Sequence, residues 1–286
     1  MGVYLWQDIQ YPTESIVYKM KADSSWNLYI PLLWRTTSWN QSCSYNWQVS
    51  VDGGAETQYS GTWSSSNPQI TLSWYVAWSN HTIMIRPTTE NYLWARAYCW
   101  YWASFVANLT EIVYDWSWMG YATNASASWN YFRYYQYSWC TSITKPADEY
   151  MPDTVTGISN YFRQSQYDWC TSLLYACEEK LNDNITTIWT YFRQRQYAFC
   201  TSLTQIKWWK DLSVWSNYYR QAQFNGCTSN KTVKVLSNVW YPAYDANALV
   251  DTYVTSVSVP SAYLSNFVSS TSQPRTWITD SKFVWY

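Results

Sequence analysis

The chain predicts a mainly β protein: an N-terminal antiparallel β-sandwich followed by a short, irregular solenoid. Two observations carry this. Residues 1–115 break into short runs of β-branched and aromatic residues, separated by Gly, Asn, Ser and Pro clusters. After them one sentence is written four times, ending at Cys140, Cys170, Cys200 and Cys227, at spacings of 30, 30 and 27 residues. A period near 30 belongs to units that bury their apolar faces only by stacking on their neighbours.

The strand candidates run in order. They are "WNLYIPLL" (26–33), "SYNWQVSVD" (44–52), "QITLSWYVAW" (69–78), "HTIMIRP" (81–87) and "LTEIVYD" (109–115). Short strands at this spacing suit a sandwich of about 90 residues. Residues 1–115 therefore form the first domain and 116–286 the second. "WSWMGYATNASAS" (116–128) is small and polar and serves as the junction. The repeats occupy 129 to about 240, and a tail follows at 254–270 and 276–286.

Composition narrows the function classes. Net charge is −1, charged residues are 13% of the chain and aromatics 21%. Without a basic stripe, nucleic acid is not an expected partner. No apolar run approaches the ~18 residues that span a bilayer, so no membrane insertion is expected. "MGVYLWQDIQYPTESIVYKMKADSS" lacks a basic start with an apolar stretch behind it, so no signal peptide is read there. A surface rich in Ser, Thr, Asn and Gln leans towards extracellular, cell-surface or virion proteins.

The tryptophans are unusual. The chain has 23 Trp and only 7 Gly, against an average glycine usage of ~7%. "SWN" occurs at 25–27, 38–40 and 128–130, and "WSN" at 78–80 and 215–217. With Gly in place of Trp, each becomes a turn signal. The residue before the repeat cysteine is Trp139, Trp169 and Phe199, then Gly226 in the fourth copy. The pattern points to a source that reassigns the UGA codon. The residues alone leave open whether these positions are tryptophan or glycine in the native chain.

Aligned copies share Tyr131/161/191/218, Phe132/162/192 with Tyr219, and Arg133/163/193/220. They share Gln136/166/196/223, Tyr137/167/197 with Phe224, and Cys-Thr-Ser from Cys140, Cys170, Cys200 and Cys227. Val155–Ile158, Ile185–Ile188 and Leu212–Trp215 are apolar pairs three apart between copies. "TVTGISNYFRQSQYDWCTSL" (154–173) and "NITTIWTYFRQRQYAFCTSL" (184–203) thereby resemble the leucine-rich repeats of BspA-type bacterial surface proteins. The unit of that family reads approximately Val-x-x-Ile-x-x-x-x-Phe-x-x-Cys-x-Ser-Leu. The resemblance covers about 116–286 and implies a leucine-rich-type solenoid. "VSVPSAYLSNF" looks like its end cap. Two departures stand out: the Tyr-to-Cys segment is longer than usual, and polar text such as "TKPADEYMPD" replaces the strand after Ser-Leu. "VSVDGGAETQYSGT" followed by "ITLSWYVAWSNHTIMI" resembles a polycystic-kidney-type immunoglobulin-like domain, without the second acidic residue of its turn.

In a solenoid, equivalent positions form columns. The cysteine column reads as buried thiols. In-register parallel rungs lie about 4.8 Å apart, whereas bridged Cβ atoms need ~3.5–4.5 Å, so no disulfide is expected within it. Glutamines suit an amide ladder. Arg133, Arg163, Arg193 and Arg220 read first as partners for acids such as Asp148–Glu149 and Glu178–Glu179, and second as a holder of an anionic ligand. The Tyr and Phe columns read first as core. If exposed, Tyr137, Tyr167 and Tyr197, with Tyr150 and Tyr175 in the loops after the cysteines, could stack on sugars. Those aromatics and the four arginines are the candidate binding surface.

No catalytic, cofactor or metal site is expected. His81 is the only histidine, and nothing in the sequence marks a nucleophile for it. No CxxC, P-loop, GxGxxG, HExxH or EF-hand pattern occurs. The leading expectation is a non-enzymatic, surface-displayed binding or adhesion protein. Its partner would be a host-cell surface protein or glycan. The alternative is a structural virion or appendage subunit that binds copies of itself.

Overall fold

A computed structural model describes residues 15–31, 44–62, 69–87, 108–115, 135–146, 149–150, 156–158, 160–177, 179–180, 184–208, 221–229, 232–235, 256–259, 261 and 283–285. Over these residues the protein is mainly β. Seven strands come first: β1 (Ile16–Lys21), β2 (Asn27–Pro31), β3 (Ser44–Val51), β4 (Thr57–Thr62), β5 (Gln69–Ser73), β6 (Asn80–Pro87) and β7 (Leu109–Asp115). They make two antiparallel sheets, of order β4-β3-β6-β1-β7 and β2-β5. Leu28, Ile30, Ile70 and Leu72 of the small sheet share one buried cluster with Tyr18, Val49, Ile83 and Ile85 of the large one.

Alternation explains each face. In β5, Ile70 and Leu72 are buried while Thr71 and Ser73 are exposed. In β1, Tyr18 and Met20 are buried while Lys19 and Lys21 point to water. Burying an Ile or Met side chain contributes about 1.5–3 kcal/mol. The exposed Lys19–Glu111 pair (2.7 Å) contributes about 0–1 kcal/mol. Apolar burial therefore holds β1 between β6 and β7.

Two expectations need correction here. β1, which lies inside the large sheet, and β4 are strands outside the five candidate segments. Residues 74–78 do not continue β5: Trp74 (φ 80°) and Trp78 (φ 64°) are left-handed, and the chain turns there.

Beyond β7, short parallel pairs follow the repeat period. β8 (Glu149–Tyr150) pairs with β10 (Glu179–Lys180), and β9 (Gly157–Ile158) with β11 (Thr187–Ile188). β12 (Gln205–Trp208), β13 (Thr232–Val235), β14 (Ser256–Val259) and β15 (Phe283–Trp285) form a parallel sheet in that order. Thus a strand does follow the Cys-Thr-Ser segment in the third and fourth copies. The tail supplies two further rungs through β14 and β15.

β7 joins the two patterns. One edge pairs antiparallel with β1. On the other, Thr144 N–H donates to Thr110 O (2.9 Å), and Ile112 N–H to Lys145 O (3.1 Å). Leu174 N–H then donates to Thr144 O (3.0 Å) and Thr204 N–H to Leu174 O (3.1 Å). The apolar core is likewise continuous: Tyr18 meets Tyr137 edge-on, with ring centroids 6.4 Å apart.

Candidate functional site

The segment before each cysteine carries most of the repeated residues. Its backbone alternates between two destinations. Tyr135, Tyr137 and Trp139 N–H donate to Gln164, Gln166 and Asp168 O at 3.0, 2.8 and 2.8 Å. Ser165, Tyr167 and Trp169 do the same to Gln194, Gln196 and Ala198, and Arg195, Tyr197 and Phe199 to Gln221, Gln223 and Asn225. The residues between them bond three back within their own copy, as Gln166 N–H does to Arg163 O (3.3 Å). This succession of tight turns accommodates the long Tyr-to-Cys segment. It places Tyr161, Arg163 and Ser165 at φ of 61°, 54° and 52°.

Side chains then form columns. Tyr137, Tyr167, Tyr197 and Phe224 are buried and stacked at 5.5, 5.3 and 5.4 Å. Phe162 and Phe192 are buried and stacked at 5.5 Å. Buried Gln166, Gln196 and Gln223 each donate from Nε2 to Oε1 of the glutamine one copy earlier, at 3.2, 3.1 and 3.0 Å. An amide can donate and accept along one line, so each ladder member satisfies the next. Cys170, Cys200 and Cys227 are free, and each thiol donates to a Tyr carbonyl of the preceding copy at 3.1 Å. Burial pushes the Cys170 and Cys200 thiols well up, so they stay protonated and poorly nucleophilic.

The candidate binding surface is corrected by this burial. Arg163 and Arg193 are 1% exposed, with each guanidinium 5.0 and 4.9 Å from the ring centroid of Phe162 and Phe192 respectively. Tyr137, Tyr167 and Tyr197 are core. None of these five side chains can line a contact surface. Tyr175 is exposed, beside exposed Leu174, in the loop after Cys170. Arg133, Arg220, Asp148, Glu178 and the side chains of Tyr150, Glu149 and Glu179 lie outside the described residues.

A second aromatic column does reach the surface. Trp139, Trp169 and Phe199 stack at 4.8 and 4.4 Å, within 5° and 18° of parallel. Trp169 is covered on both faces, whereas Trp139, at the head of the column, is stacked on one face and 46% exposed. A sugar stacks on a face, so Trp169 cannot hold one. Beside it Arg195 meets Asp168 at 3.1 Å and lies 5.7 Å from the Phe199 centroid. Burial raises the Asp168 carboxyl to about 7 despite the attraction of Arg195.

His81 has partners that the sequence did not reveal. Its Nδ1 lies 2.7 Å from Asp52 Oδ2, and its Nε2 2.5 Å from Ser79 Oγ. Asp52 Oδ1 also accepts the Thr82 N–H at 2.8 Å. Burial alone would raise the Asp52 carboxyl, but the His81 and Thr82 hydrogen bonds hold it below its ordinary value. The residue types are those of a Ser–His–Asp triad. However, the Ser79 hydroxyl donates to the Val76 carbonyl. The hydroxyl is thus shared between the turn carbonyl and the imidazole nitrogen. The trio pins the Asp52–Gly53 turn after β3 to the start of β6. Two signals hinted at it: Ser79 lies two residues before His81, and Asp52-Gly53 is a turn signal.

Among the described residues, no group of three His, Cys, Asp or Glu side chains is placed to hold a metal ion. No family model matches the chain, and no curated protein or solved structure matches it.

Proposed function

We propose that the chain is a non-enzymatic, surface-displayed binding or adhesion protein: a β-sandwich fused to a short leucine-rich-type solenoid. One observation carries the reading. Most residues shared between the repeats are buried or paired in register, while the exposed residues four and five after the cysteine in the second copy, Leu174 and Tyr175, set it apart from the first and third. The place four residues after the cysteine holds exposed Thr144, Leu174 and Thr204, and Tyr175 beside Leu174 is exposed as well. A constant interior with variable loops presents several contact sites on one rigid support. Weak contacts from such loops add through avidity. The partner would be a host-cell surface protein or glycan at an extracellular or cell-surface location.

The test is binding of the full chain to host-cell surfaces and to a glycan array. Binding without turnover, lowered by Tyr175→Ala, is the expected result. Hydrolysis of a bound polysaccharide would refute it. A second reading, a structural virion or appendage subunit, is favoured by the sheet ends. β4 and β15 are end strands in their sheets, and end strands can pair with another copy. Silence on every surface, with filaments of purified protein or its recovery in particles, would establish that reading instead.

A further inference from the structure

We propose that the native chain carries glycine at positions 26, 74, 78, 139 and 169, where the written sequence has tryptophan. The backbone is the first ground. Between residues 15 and 87, every described residue with positive φ is Gly, Asp or Trp: Trp26 (67°), Asp52 (52°), Gly53 (72°), Trp74 (80°) and Trp78 (64°). Glycine takes this conformation freely and aspartate tolerates it, but a bulky ring on Cβ opposes it. Trp47 is the contrast: 4% exposed, in the middle of β3, without a positive φ. The backbone treats Trp47 as a tryptophan and the other three as glycines.

Exposure is the second ground. Trp26, Trp74 and Trp78 are 54%, 87% and 63% exposed. A large aromatic ring that folding leaves in water gains little from its size. Local bonding also describes turns. Trp26 N–H donates to Asp23 O at 3.1 Å, while Asp23 Oδ1 accepts the Ser25 and Asn27 N–H, both at 2.9 Å. Ser79 N–H donates to Val76 O at 3.0 Å around Trp78. Asp-Ser-Ser-x-Asn around such a turn calls for glycine at x.

In the repeats the ground is internal comparison. Trp139 (65°), Trp169 (63°) and Phe199 (58°) share one conformation with Gly226 (71°), which holds the same place in the fourth copy. Positive φ alone decides little there, because Tyr161, Arg163 and Ser165 share it. Phe199 shows that a ring fits, by lying over Gly226, where a Cβ would come within 2.6 Å of the Phe199 ring. The glycine copy therefore assigns 139 and 169. A UGA codon read as glycine at its source accounts for all five positions and leaves Trp47 as written. Trp189 is exposed without a positive φ and is not assigned.

Peptide mass spectrometry of the chain from its source organism tests the assignment. Glycine at 26, 74, 78, 139 and 169 with tryptophan at 47 is expected. Tryptophan at the five would overturn the proposal, and Trp26, Trp74 and Trp78 with Val76 would then be a true apolar surface. Glycine at 47 as well would overturn the backbone criterion. Recombinant chains give a second measurement. Trp26→Gly, Trp74→Gly and Trp78→Gly should each raise the melting temperature, whereas Trp47→Gly lowers it. A fall for all three turn variants would likewise overturn the assignment.

Discussion

Phe162 is buried against Phe192 and beneath the Arg163 guanidinium. Truncation leaves a cavity between copies that the backbone ladder prevents from closing. Phe162→Ala should therefore cost about 3–5 kcal/mol in denaturant unfolding; a loss below about 1 kcal/mol would place the column at the surface. Asp168 supplies a pH signature. Its folded pKa of about 7 lies above the 3.8 expected when unfolded. Between those values the folded state binds more protons than the unfolded state. Stability therefore falls as pH rises from about 4 to about 7, through this group alone. Asp168→Asn should flatten that part of the stability–pH curve, measured by urea unfolding across the window. At this scale the sequence was partly legible. The glutamine ladder and the buried thiols followed from equivalent positions meeting at one spacing. The burial of Arg163 and Arg193 did not, because a repeated charge reads as a solvated face until the Phe beneath it is seen. His81 was opaque for another reason: Asp52 reaches it only after β3 and β6 pair.

At the scale of elements, β7 decides how the halves relate. It is an edge strand of the large sheet and the first rung of the parallel ladder. Removing the repeats exposes Ile112 N–H, Thr110 O and the Tyr18 ring together. A 1–118 fragment should still unfold cooperatively, because Ile16, Met20, Ile83, Ile85 and Leu109 remain buried within the antiparallel sheets. It should melt below the full chain, by calorimetry, because its end rung is bare; an equal melting temperature would mean that the joint contributes nothing. β2, β3, β5, β6 and β7 were legible from short β-branched and aromatic runs. β1 was not, because Lys19 and Lys21 broke up an apolar run that the sheet needs on one face only. The strands after Cys200 and Cys227 were missed because the first copies place polar residues there. The cysteine column yields its own test. Cys140, Cys170, Cys200 and Cys227 should resist thiol reagents when folded and all react in denaturant, as buried unbridged thiols do.

For the whole molecule, the period is the organising fact. Pairing runs 135 to 164, 165 to 194 and 195 to 221, and the Tyr, Gln and Cys columns follow it. Each copy thus offers its successor nearly the same surface that it receives. Excising residues 161–190 would join Asn160 to Tyr191 and bring the first copy against the third. Tyr137 N–H would then meet Gln196 O, Gln136 would meet Gln196, and Cys200 would donate to Tyr137 O. The shortened chain should fold in one transition, at lower stability because one inter-copy interface is lost. Circular dichroism melting would check this; a collapsed or aggregated product would show that the copies are not interchangeable. The same variant bears on the binding proposal. Losing Leu174 and Tyr175 while keeping the loops around Thr144 and Thr204 removes one contact set from several. Avidity for a multivalent cell surface should then fall by more than the affinity for a single soluble ligand. Equal losses in the two assays would mean that the repeats do not bind as a set.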